Sequence, residues 1–401
     1  MTGIMQGFPP PPDRQVTLAN WREAPFSTWA FHHVREIVPS ADIANDPARV
    51  RPLEPGPALD PAAVVLADAA GRSWTTGAFL EASATDALVV MRSGRIVFET
   101  YANGMDAGTP HILMSVSKSM LGLLAGILVD RGVLDTGLVA DTVMPELRET
   151  AYRGATIRHL LDMRTGIAFD EDYDAMPEQM VAYRKASNWN PVEAGDPPSD
   201  LRSFYRVLTA ADGAHGRGFH YVSPNTDLLA LLFERLAGER YADLFARLLF
   251  QPAGAGRPAY VTVDRLGAAR AAGGMCMTAR DLARIGQLVV DGGRVDGEQV
   301  VPSAWIDDIA SSADFDGWNA GGFAPMFPGA TMHYRSKWYV RHDGGPLLFG
   351  VGVHGQNLFV DRARELVIVK FSSQARPLDP DMIDLTTRWV EACRSGYEAR
   401  S

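Results

Sequence analysis

Apolar and polar positions along the chain fall into three kinds of pattern. From residue 87 the run Ala-Leu-Val-Val-Met-Arg, a Ser93-Gly94 turn and the run Arg-Ile-Val-Phe-Glu-Thr-Tyr predict a β-hairpin, because β-branched residues flank turn chemistry. Residues 120–129 are apolar on every face of a helix, and Gly132 follows as a stop, so this helix is expected to run through the core. Between about 140 and 300 helical patterns dominate, at 156–163, 227–237 and 278–290, separated by loops rich in Gly, Pro and Asp. Strand patterns return at 338–341, 347–353, 357–360 and 366–371, linked by Asp343-Gly344-Gly345 and by residues 361–364. These predict an antiparallel meander, closed by a helix over 381–393 after Pro380.

Strands near both ends therefore flank a helical middle, and the two ends are expected to share one sheet. The predicted fold class is α/β of the α+β kind, a central antiparallel sheet flanked by helices plus a mostly helical region. Residues 1–75, rich in Pro and small residues with little periodicity, read as an extended N-terminal arm. Residues 76–140 and 300–401 read as the sheet region and 141–299 as the helical one, with the site between them.

Composition narrows the function classes. A chain of 401 residues with 46% hydrophobic positions can bury a large core, as one large domain or two intimately packed ones. Its formal charge of −10 is spread without a basic stripe, which excludes the electrostatic footprint of nucleic-acid binding. The run Pro9 to Pro12 stands where a signal peptide would need unbroken apolar residues, and no stretch reaches membrane-helix length, so a cytoplasmic protein without membrane contact is expected. Cys276 and Cys393 are far apart and lack zinc or redox spacing, and they read as buried thiols; no metal and no cofactor are expected.

The candidate chemistry starts at Ser115-Val116-Ser117-Lys118, at the mouth of the apolar helix. Residues three apart on a helix share a face, so the hydroxyl and the amine should touch. A lysine in apolar surroundings has its charged form disfavoured, and the neutral amine can then take a serine proton. On its own the spacing is weak, and Lys118 snorkelling beside a capping Ser115 remains the alternative. A second hydroxyl pair, Tyr221-Val222-Ser223, precedes the helix pattern that starts at Asp227.

With Arg158-His159-Leu160-Leu161 and the segment 278–283, these boxes resemble the β-lactamase-related serine hydrolases, which include class C β-lactamases, D-Ala-D-Ala peptidases and esterases. Residues 111–119 and Phe219-His220-Tyr221-x-Ser223 are most similar to the 6-aminohexanoate-dimer hydrolase group, and the resemblance spans almost the whole chain, including elements at 7–11 and 16–21. It implies the β-lactamase/penicillin-binding-protein-like fold. It also implies Ser115 as nucleophile, Lys118 as its base, Tyr221 passing a proton to the leaving group, and Ser223 completing that relay. Tyr173 falls where the group carries a substrate-facing tyrosine, and Trp338 and His354 join Tyr173 and Ser223 as candidate substrate-binding residues.

The third box of the superfamily, Lys-Thr-Gly or His-Gly-Gly, is here replaced by Gly350-Val351-Gly352 on the strand ending at His354-Gly355-Gln356. The Val353 N–H would then partner the Ser115 N–H as an oxyanion hole, while the cation that holds a substrate carboxylate in relatives is missing. The resulting expectation is a hydrolase of linear amides or esters, of the 6-aminohexanoate-oligomer or carboxylesterase type, with a small-molecule substrate and a homodimer as the candidate assembly. Its rivals are a β-lactamase or D-Ala-D-Ala peptidase, and a non-catalytic ligand-binding relative. A Ser-His-Asp relay through His220 or His354 is the remaining alternative, but the chain has no G-x-S-x-G elbow.

Overall fold

Residues 3–396 are described by the structure, a computed structural model; the outermost positions of the expected arm and sheet region, 1–2 and 397–401, lie outside them. The N-terminal stretch is more integrated than an extended arm. Trp21, Phe31 and Val34 are fully buried, and β1 (Ser40–Ile43) pairs antiparallel with residues 259–262. The arm thus contributes both core side chains and a strand.

The hairpin forms from β2 (Thr85–Arg92) and β3 (Arg95–Tyr101), with Ser93 and Gly94 both at positive φ (50° and 76°), the conformation that matches strand twist. In β2, Ala87, Val89 and Met91 enter one apolar cluster while Leu88 and Val90 enter another. A strand covered on both faces reads as an unbroken apolar run, which is how this one reads. After β4 (His111–Ile112) comes α1 (Val116–Asp130), buried from Val116 to Leu128, with Gly132 at φ 66° just beyond its end.

In the middle of the chain lie α2 (Glu178–Ala186) and α3 (Pro224–Ala237), the latter stopped by Gly238 in the left-handed conformation. Two strands, β5 (Ala259–Thr262) and β6 (Met275–Met277), depart from the helical expectation for this stretch. They join β1 and β4 in a four-stranded sheet of order β1-β5-β6-β4. Strands of three or four residues are too short to establish a two-residue period, so the pattern could not reveal them. The next helix, α4 (Ala279–Val290), starts at Thr278, whose hydroxyl accepts the Asp281 N–H.

The C-terminal strands are β7 (Met332–Arg335), β8 (Trp338–Arg341), β9 (Leu347–Gly352), β10 (Gln356–Asp361) and β11 (Leu366–Ser372). With β2 and β3 they form an antiparallel sheet of order β7-β8-β9-β10-β11-β2-β3. The register Val369 opposite Val89 joins the two ends of the sequence in one sheet, as expected. β7 was not foreseen: its turn to β8 is Ser336-Lys337, both at positive φ (47° and 69°), with no glycine or asparagine to mark it. Helices α1 and α4 pack on one face of the sheet. The other face carries α5 (Pro380–Ser395), whose Trp389 stacks on Phe79 at 5.4 Å and donates its indole N–H to Thr76. No helix among the described residues is long and apolar enough to cross a membrane.

Candidate active site

The site begins where β4 turns into α1. Met114, buried at this corner, has φ 44°, a strained conformation for a residue with a side chain, and it sets Ser115 at the N-terminal mouth of α1. The Ser115 side chain makes no capping bond to the helix, so its hydroxyl is free for other work. One turn later the Lys118 Nζ lies 2.8 Å from Ser115 Oγ and 2.6 Å from the Ala272 carbonyl oxygen. Burial pulls Lys118 down to about 7, helped by Arg270 and opposed by the negative charges of Glu171 and Asp227. Near neutral pH a large share of this amine is uncharged.

Tyr221 lies against the same amine, its ring centroid 4.9 Å from Lys118 Nζ and stacked on Phe323 at 4.8 Å. The Ser115 and Ser223 hydroxyls beside it oppose, more weakly, the burial that acts on it. Burial, with Glu171 adding to it, raises Tyr221 far above the ordinary phenol range, so it stays protonated. An amine made neutral beside a phenol kept neutral is an arrangement that can take a proton from one oxygen and deliver a proton to another atom.

Strand β9 ends against this corner because it lacks side chains there. A Cβ on Gly352 would lie 2.7 Å from the Leu113 carbonyl oxygen and 2.9 Å from Met114 Cβ, and one on Gly350 would lie 2.8 Å from Ser119 Oγ. The Gly-Val-Gly sequence is therefore what lets the strand meet the start of α1. Val353 follows as the first residue of a short 3-10 turn, where a backbone N–H has no intrahelical acceptor. Among the described residues neither the Ser115 nor the Val353 N–H donates to another protein group, and both residues line one narrow cleft. Two unspent N–H groups of this kind can hold a developing oxyanion.

Behind Lys118 stands a buried ionic support that the sequence did not disclose. Asp227, at the start of α3, accepts the Ala272 N–H at 2.7 Å through one carboxylate oxygen. The other oxygen accepts Arg270 Nη1 and the Tyr183 hydroxyl, each at 2.5 Å. This carboxylate fixes the residue whose carbonyl holds Lys118. Asp227→Asn leaves Arg270 buried without its counter-charge and is expected to cost roughly 3–5 kcal/mol of stability, read by thermal or urea unfolding. Since the Asp227 charge raises Lys118, its loss should also move the acidic limb of the kcat/KM profile to lower pH.

The other expected residues divide. Ser223 and Tyr173 are brought together by Glu171, which accepts the Ser223 N–H at 2.6 Å, the Ser223 hydroxyl at 2.5 Å and the Tyr173 hydroxyl. Glu171 escaped sequence reasoning because the run Asp170-Glu171-Asp172 looks like solvated loop charge flanking Tyr173. His354 lines the cleft with Ser115, but its Nδ1–H is committed to the Gln374 carbonyl at 2.7 Å and burial lowers it to about 4, so it is neutral. His220 places Nε2 3.1 Å from the Phe169 carbonyl. With those ring nitrogens on backbone carbonyls, the described residues build no Ser-His-Asp relay. Trp338 is a correction: it is fully buried beneath α1, its indole N–H on the Ser119 carbonyl at 3.1 Å, because β8 turns that face to the core instead of the cleft.

Comparison with known proteins establishes the family and the fold. The beta-lactamase family model matches residues 77–392. A 6-aminohexanoate-dimer hydrolase from Paenarthrobacter ureafaciens is 36% identical over 365 residues, covering 90% of this chain and 89% of that protein. A Bacillus anthracis structure provisionally assigned as a 6-aminohexanoate-dimer hydrolase superposes with a TM-score of 0.86 at 26% identity, covering 96% of this chain and 98% of the other. The octameric penicillin-binding protein homologue from Pyrococcus abyssi shares the fold at a TM-score of 0.60 and 15% identity, over 79% of this chain and 75% of its own. Sequence and architecture together show that the chain belongs to the beta-lactamase family, as a serine hydrolase.

Proposed function

We propose that this enzyme hydrolyses linear amides or esters through an acyl intermediate on Ser115, as a carboxylesterase or amidase of the 6-aminohexanoate-oligomer type. The observation that carries the reading is the 2.8 Å contact between Ser115 Oγ and a Lys118 amine that burial brings to about 7. Neutral Lys118 donates one N–H to the Ala272 carbonyl, which leaves its lone pair for the Ser115 proton. As that proton moves to Nζ, Oγ bonds to the substrate carbonyl carbon and the carbonyl oxygen takes the negative charge against the Ser115 and Val353 N–H groups. On collapse the bond to the leaving nitrogen or oxygen breaks; Tyr221 gives that atom its proton and is reprotonated from Lys118. Water then attacks the acyl carbon, its proton returns through the same groups, and Ser115 leaves as the free hydroxyl.

The β-lactamase reading ranks second because the two cations on the strand next to the third box and the turn into it are both engaged. Lys337 is buried with Nζ on the Leu160 carbonyl at 2.6 Å, and Arg341 pairs with Asp343 at 2.9 Å. A carboxylate held by a charge-assisted bond contributes roughly 1.5–3 kcal/mol, so its absence lowers efficiency about ten- to a hundredfold. The kcat/KM for p-nitrophenyl butyrate should therefore far exceed that for nitrocefin, both depending on Ser115; equal or higher efficiency on nitrocefin would put the β-lactamase reading first. A cytoplasmic location and a homodimer are part of the proposal, the former supported by Cys276 and Cys393 as free buried thiols.

A further inference from the structure

The cleft beside Ser115 holds an excess of positive charge in a protein whose formal charge is −10. Three guanidiniums line it: Arg22 from the N-terminal arm, Arg184 from α2, and Arg270. Arg270 is neutralised by Asp227 at 2.5 Å. Arg22 donates to the Trp189 carbonyl and the Asn190 side-chain oxygen, each at 2.5 Å, and among the described residues forms no ion pair, Glu23 acting on it only weakly. Among the described residues the Arg184 guanidinium makes no hydrogen bond and no ion pair; its nearest aromatic partner is the Tyr173 ring, 6.0 Å from centroid to guanidinium carbon. The single carboxylate lining the cleft, Glu171, is already committed to Ser223 and Tyr173. Burial and the neighbouring Arg184 and Arg270 both depress Arg22, the mark of a desolvated charge lacking a counter-ion.

The cleft also has a definite side of the reaction. It contains Ser115 and Val353 but not Tyr221, whereas the wider cavity of about 690 Å³ contains Tyr221 and not Ser115; Glu171 and Tyr173 border both. The proton donor to the leaving group faces the wide cavity, so the leaving group belongs there and the acyl group belongs in the cleft.

We infer that the acyl half of the substrate is a slender chain ending in a carboxylate, held by Arg184 and Arg22 in this cleft. The inference rests on the hydrolase reading above and narrows it. These arginines come from α2 and the arm and not from the strand β9 box itself, which contributes to the cleft through Val353 and His354 just beyond it. An acyl chain ending in an amine would meet like charge here, so a 6-aminohexanoyl group should be a poor acyl donor, and of the substrates proposed above the inference sets the 6-aminohexanoate oligomer behind carboxylate-bearing esters and amides.

Three matched esters test this: mono-p-nitrophenyl adipate, p-nitrophenyl hexanoate and p-nitrophenyl 6-aminohexanoate. The wild-type enzyme should prefer the adipate ester to the hexanoate ester by about tenfold or more in kcat/KM, with the aminohexanoate ester last. Arg184→Gln should cut the adipate-to-hexanoate ratio about ten- to a hundredfold, Arg184→Lys should retain part of it, and Arg184→Glu should move the preference toward the aminohexanoate ester. Because each variant is read as a ratio of its own constants, partial misfolding does not imitate the result, and the wild-type ratio decides even if a variant fails to fold. Equal use of adipate and hexanoate esters by the wild type, or a ratio unchanged by Arg184→Gln, overturns the inference. Failure to cleave any of the three, with no labelling of Ser115 by a fluorophosphonate, would instead overturn the hydrolase reading on which it rests.

Discussion

Replacing Ser115 by alanine should lower kcat for ester substrates by roughly four to six orders of magnitude and leave the protein folded. The loss is large because the nucleophile and its base act as one unit, so what survives is binding and the oxyanion groups alone. The stability change should stay within about 1 kcal/mol, since the Ser115 side chain caps no backbone N–H of α1 and its removal empties no part of the core. Steady-state kinetics on p-nitrophenyl butyrate and a thermal melt report the two halves separately. Retained turnover in a folded Ser115→Ala enzyme would show that another oxygen attacks.

Lys118 should be almost as costly to remove. Lys118→Ala deletes the only amine among the described residues in contact with Ser115 Oγ and removes a donor from the Ala272 carbonyl. Lys118→Arg should not rescue, because a guanidinium is not deprotonated in a protein and cannot accept the serine proton. The pH dependence follows with its sign. As the proposed base, Lys118 works only when neutral, and burial has brought it to about 7, so wild-type kcat/KM should rise with pH through a limb near neutrality. Tyr221 is shifted upward and remains a phenol, so it should add no alkaline limb in the ordinary working range. A Lys118→Arg enzyme with wild-type rate would leave Lys118 a positioning role only.

The parts of this picture that the sequence disclosed are those in which one local pattern carries the information. The Ser115 to Lys118 contact follows from helical spacing on an apolar helix, and the C-terminal meander follows from β-branched runs punctuated by turn residues. What it concealed depends on contacts between distant segments. Ala272 reaches Lys118 across 154 positions, and Glu171 reaches Ser223 across 52, with nothing in either neighbourhood to announce a partner. Trp338 misled for a related reason: an aromatic residue at the start of a strand near the box is equally suited to either face, and register alone turned it inward. The arm looked featureless because Pro-rich turns have no period, yet Arg22 comes from it to the wall of the cleft, and Trp21 is buried against Trp189, another residue of that wall.

The claim at the centre is that Ser115, and no neighbouring hydroxyl, forms the covalent bond. Three other serines, Ser117, Ser119 and Ser223, lie within the same few ångströms of sequence or contact, and all are buried. Their hydroxyls are engaged by the Met275 N–H, the Lys337 carbonyl and the Glu171 carboxylate respectively. Peptide mapping by mass spectrometry after reaction with a fluorophosphonate locates the adduct directly. The account predicts a single adduct on Ser115, absent from Ser115→Ala and slowed in Lys118→Ala; an adduct on Ser117, Ser119 or Ser223, or none on an enzyme that still turns over its ester, would contradict it.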